Sequence, residues 1–158
     1  MFHGIKLVLL AALTQPTMTL DEAYSLIGAS LDQMNARYGN TVFNEWVVLS
    51  LHEKTGRILN YHGPRKDDFQ KSLASDLDAL FEELESRQFG VGDFEFARHA
   101  SGTHFDAFLV LGRGFYLICN NTRASMDVIA KDPRWLAAQV PFVELSDKFR
   151  ANPVALKA

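Results

Sequence analysis

A chain of 158 residues, 47% apolar and 22% charged, holds enough material for one ordinary domain with a sizeable core and too little for two. Its formal net charge of −3 lacks the basic footprint of a nucleic-acid binder, and no segment approaches the roughly 20 apolar residues that span a bilayer. The single cysteine, Cys119, excludes an internal disulfide framework and fits a reducing, cytoplasmic setting; its apolar surroundings (FYLICN) point to a buried, inert thiol.

The opening MFHGIKLVLLAALTQPT has one lysine, a seven-residue apolar run and a small-residue tail, which loosely imitates a secretory signal. The run is short and the basic region weak, so a short helix over about 4–15, ended by Gln15-Pro16, is expected instead. The first strong helix starts at Thr19. Thr19 and Glu22 form an S/T-x-x-E capping pattern, Leu20, Ala23, Ile27, Leu31, Met34 and Tyr38 recur at helical spacing, and Gly39-Asn40 supplies the stop.

In WVVLSLHEKTGRILNYHGP, Val47, Leu49 and Leu51 alternate with Val48, Ser50 and His52, the period of a strand. Glu53-Lys54-Thr55-Gly56 reads as a polar connection, Arg57 to Tyr61 as the returning strand, and Gly63-Pro64 as its stop. A second helix covers 67–87, with Asp67 and Gln70 as caps and an apolar stripe of Phe69, Leu73, Leu77, Leu80, Phe81 and Leu84. Its other face carries seven carboxylates against two bases: a solvated surface, or one complementary to a basic partner.

Three further strands are expected at Asp93–His99, Thr103–Leu111 and Phe115–Asn120, the middle one with Phe105, Ala107, Leu109 and Leu111 on one face. The tail over 124–150 is helical in period, with Asp132-Pro133 starting a new helix and Pro141 breaking it again. The fold class is therefore α+β: a five-stranded antiparallel sheet in the order helix-strand-strand-helix-strand-strand-strand-helix, with helices on both faces. Segment 1–18 is an N-terminal extension, 19–130 the domain, and 131–158 a C-terminal helical extension.

Signatures for phosphate, dinucleotide and zinc binding are absent, so no cofactor is expected. His99 and His104 flank a turn with Asp106 two residues on, a weak candidate for a metal, because hairpin pairing alone brings two such imidazoles together. His52 and His62 fall at opposite ends of the first hairpin and cannot act as a dyad. Ser50 has neither a strained elbow nor an attending base. No catalytic residue is assigned.

The element order resembles the Roadblock/LC7 family, small domains related to profilin-like and longin-like folds. The likeness covers about residues 19–130 and rests on LDEAYSLIGASLDQM, WVVLSLHEKTGRILNYHG, FQKSLASDLDALFEEL and HFDAFLVLGRGFYLICNNT. Thr55-Gly56 at the hairpin tip, Arg57-Ile58-Leu59 on its return and Tyr116–Asn120 in the closing strand fit the family pattern. The two extensions depart from the minimal domain. The resemblance implies a non-enzymatic protein that forms homo- or heterodimers, often by joining sheet edges with the middle helices alongside, and that scaffolds or regulates a Ras-like small GTPase or another protein, or serves as an adaptor on a motor complex; a homodimer is expected here. The matching surface here is Phe94 and Phe96 on the Asp93–His99 strand, beside Leu73, Leu77 and Leu80 of the middle helix. The alternative is a small-molecule sensor of PAS or GAF type, which requires a pocket of several hundred Å³ between sheet and helices.

Overall fold

The structure is a computed structural model that describes residues 15–52, 55–98 and 105–155, without the side chains of 73–77, 80–81, 84–85 and 97–98. The helix expected over 4–15 lies outside the described residues. Helix α1 (Leu20–Tyr38) begins as its sequence dictates: the Thr19 hydroxyl accepts from the Glu22 amide at 3.2 Å, and Gly39 closes the helix in the left-handed region at φ 79°. Ala23, Ile27, Leu31, Met34 and Tyr38 are buried along one stripe.

Strands β1 (Glu45–His52), β2 (Thr55–His62), β3 (Phe94–Arg98), β4 (Phe105–Gly112) and β5 (Phe115–Asn121) form one antiparallel sheet in the order β2-β1-β5-β4-β3. The α+β class and the five antiparallel strands are as expected. The first hairpin is tighter than its polar connection suggested. Pairing of Leu51 with Gly56 and His52 with Thr55 carries the ladder to Thr55, because a β-branched threonine extends a strand as well as it fills a turn.

Helix α2 (Lys66–Arg87) starts one residue early and is not capped by Asp67 or Gln70: Arg65 occupies the cap position with no side-chain cap bond. The physical reason is the Tyr61 hydroxyl, which accepts from the Arg65 amide at 2.9 Å and sets the helix entry. The C-terminal segment holds α3 (Met126–Ala130), α4 (Trp135–Ala138) and α5 (Val140–Ala151). Asp132 is not the residue next to a helix. It binds the amide and guanidinium of Arg134, and α4 begins after them. Pro141 lies in the first turn of α5, where its missing N–H costs nothing.

The two faces of the sheet differ. On one, the row Phe96–Ala107–Cys119–Trp46–His62 crosses all five strands, and the neighbouring row includes Phe94, Leu109, Leu117 and Val48. Against this face pack α1, α4 and α5, so that Trp135, Ala138, Phe142, Leu145 and Phe149 belong to the same core as Ile27 and Met34. No seam in the core falls at residue 130, and Met18 bridges to Val154. On the other face the row Glu95–Phe108–Ile118–Val47–Tyr61 runs beneath α2: Tyr61 meets Phe69 near the helix start, and Glu95 pairs with Arg87 at its end. Helices thus cover both faces. Among the described residues no helix is long and apolar enough to cross a membrane.

The tail is stitched down by backbone bonds from Val154 to Leu111 at 2.9 Å and from Ala155 to Met18 at 3.1 Å. Gly112 permits this approach, since a Cβ there would stand 2.3 Å from the Val154 carbonyl oxygen. Gly112→Ala is expected to cost about 1–3 kcal/mol in urea unfolding. In a chain ending at Asn152 the same substitution is expected to cost less than about 0.5 kcal/mol, as the clashing partner is gone.

Candidate functional site

Glu45 opens a mostly apolar strand, and its side chain has no exposure to solvent. Three elements satisfy the buried carboxylate. Arg65, at the entry to α2, donates from Nη2 to Oε1 at 2.7 Å and from Nε to Oε2 at 3.3 Å; Asn120 of β5 donates to Oε1 at 2.8 Å; and the Tyr61 hydroxyl of β2 donates to Oε2. Burial pushes the Glu45 carboxyl up, but the bonds from Arg65, Tyr61 and Asn120 outweigh it and hold the group below the usual glutamate range. Burial and the adjacent carboxylate push the Tyr61 phenol up to about 12.

The loop before β1 is fastened to the end of β5 by side chains. Asn121 donates to the Val42 carbonyl at 2.8 Å, and Asn44 bonds both the hydroxyl and the amide of Thr122 at 2.7 and 3.1 Å. Beside these bonds lies an open cleft of about 710 Å³ between α1 and the paired ends of β1 and β2. Tyr24, Gly28, Asp32 and Asn35 line it from the helix, and Asn44, Trp46, His62 and Gly63 from the strands. Trp46 and His62 are cross-strand partners stacked at 4.3 Å and 12°.

The residues singled out from sequence are dispersed. His52 pairs with Thr55 at the hairpin tip and His62 with Trp46 at its base, so the two are at opposite ends. Cys119 is fully buried and its thiol is pushed well up by that burial. His99 and His104 lie outside the described residues; Asp106 is half-buried opposite Asn120 and Ala97. Among the described residues no group of three His, Cys, Asp or Glu could hold a metal.

Of the expected interface, the side chains of Leu73, Leu77 and Leu80 also lie outside the described residues. Phe94 and Phe96 point to the core face, where Phe94 packs on Phe142 at 5.3 Å and Phe96 on Trp135 at 5.1 Å. Among the described residues β3 is the last strand of the sheet. Val128, Leu136, Val140 and Val143 are exposed apolar residues on the C-terminal helices, with Leu136 78% exposed.

The Glu45 network was missed by sequence reasoning. Its one local signal is an acidic residue heading a mostly apolar strand. No protein-family model matches the chain, and no curated protein matches it.

The network contributes to stability at both ends of the pH range. Glu45, lowered in the folded state, stabilises above the usual carboxylate range, and this contribution is lost as pH falls through its lowered value. Tyr61, raised from 10.0 to about 12, contributes fully below 10.0 and progressively less as pH rises to about 12. Urea unfolding across pH is expected to show Glu45→Gln destabilised by about 1–3 kcal/mol at neutral pH with a flattened acid limb. Tyr61→Phe is expected to flatten the alkaline limb.

Proposed function

We propose that the protein is a non-enzymatic cytoplasmic scaffold or regulator that acts as a homodimer and contacts a small Ras-like GTPase or another protein. The observation that carries this reading is the edge of the sheet: among the described residues β3 ends the strand order, and α2 reaches that edge, tied to it by the Arg87–Glu95 pair. An uncovered edge strand is a template for pairing with a second chain, and a helix alongside adds side-chain contacts. The element order agrees with the Roadblock/LC7 resemblance, in which dimers form by this edge. Exposed apolar residues on α3, α4 and α5 offer a further surface for a partner.

The polar groups support the same reading. The Glu45 carboxylate is engaged by three side chains, and Cys119 is a core residue. A small-molecule sensor, the alternative, draws support from the cleft, whose volume is of the order a pocket requires. That cleft opens at the surface, while Phe105, Phe142 and Phe149 fill the space between sheet and helices.

Light scattering on the eluting protein at micromolar concentration is expected to give twice the 17.7 kDa chain mass. Leu77→Glu, on the α2 stripe, is expected to give a monomer whose circular dichroism is unchanged. A pull-down from native lysate is expected to retain a small GTPase with the dimer. A monomeric wild-type chain would sink the proposal.

A further inference from the structure

Glycine in a helix interior costs about 0.5–1 kcal/mol relative to alanine, so it usually marks a close packing contact. Gly28 stands in the middle of α1, yet a Cβ added there would meet no atom of the described residues within 4 Å. Neither packing nor backbone conformation requires it. What its missing side chain leaves is space, and that space is the helix side of the cleft.

The walls around this space have a definite chemistry. Tyr24 lies one turn before Gly28 and Asp32 one turn after, so phenol, bare backbone and carboxylate follow one another along the helix. Opposite them stands the stacked Trp46–His62 pair. The polar rim is held in place, with Asn35 accepting from the Val42 amide at 2.8 Å and Asn44 locked to Thr122. Among the described lining residues Asp32 is the only one of Asp, Glu, Lys and Arg. Aromatic walls with a single carboxylate complement a positively charged organic group carrying an apolar body.

We infer that the cleft between α1 and the β1–β2 ends binds a small organic cation, with Asp32 as its counter-ion, Tyr24 and Trp46 as its apolar walls, and Gly28 as the floor that admits it. The inference stands apart from dimerisation, and either can fail without the other.

Benzylguanidinium serves as the probe and benzylurea as its uncharged counterpart of similar shape. In amide and indole proton–nitrogen correlation spectra of the full chain, millimolar benzylguanidinium is expected to move the Trp46 indole and the amides of residues 24–35, and benzylurea is not. Trp135→Phe identifies the Trp46 indole signal. Asp32→Asn is expected to weaken binding about tenfold, the loss of one charge-assisted contact. Gly28→Ala is expected to raise the melting temperature while weakening binding several-fold. That combination separates a binding floor from a structural one, and a folded Gly28→Ala protein keeps the test decisive. Absence of shifts with benzylguanidinium, equal shifts with benzylurea, or unchanged affinity in either variant would overturn the inference.

Discussion

A carboxylate with no access to water must be met by donors from the protein itself, and this demand organises the centre of the molecule. Glu45 obtains its donors from β2, from the entry to α2 and from β5. Losing any of them would leave a buried charge short of a bond, a penalty larger than the net value of an ordinary hydrogen bond. The four groups therefore hold each other's elements in register. Tyr61 acts twice, donating to Glu45 and accepting from the Arg65 amide, so the same hydroxyl that satisfies the charge also positions the start of α2.

From that anchor the sheet extends in both directions. β1 is flanked by β2 and β5, and Val47, Val48 and Leu49 are wholly buried although successive side chains face opposite sides. Such a strand needs cover on both faces, and the chain supplies it unequally. One face receives α1 together with the C-terminal helices and a cluster of aromatic rings. The other receives α2, and beneath it Phe108, Tyr116 and Ile118 remain half-buried. The C-terminal segment is an integral layer of the core, closed by the bridge between Met18 and Val154.

Both proposed surfaces come from where this cover stops. At one margin β3 is the last strand of the sheet among the described residues. At the other, the sheet row that begins with Phe96 under α4 and α5 ends at Trp46 and His62, beside the cleft that Gly28 of α1 lines. Gly63 connects this cleft with the charged centre, since a side chain there would press on Glu45 and on the Tyr61 hydroxyl, each at 2.9 Å.

The local content of this fold was legible in the residues. The Thr19–Glu22 cap, the α1 stripe from Ala23 to Tyr38 and the inward set Phe105, Ala107, Leu109 and Leu111 depend on spacing and short-range bonds, which a sequence displays directly. The separation of His52 from His62 follows from hairpin register alone. Tertiary structure decided the pairing of β1 with β5, the place of the C-terminal helices in the core and the partners of Glu45. Asn120 is 75 residues from Glu45 in the chain, and no periodicity encodes which distant donor a buried carboxylate will meet. Gly28 makes the same point from the other side: within the sequence it is a weak spot in a helix, and only the packed fold shows that no described residue fills the space it leaves.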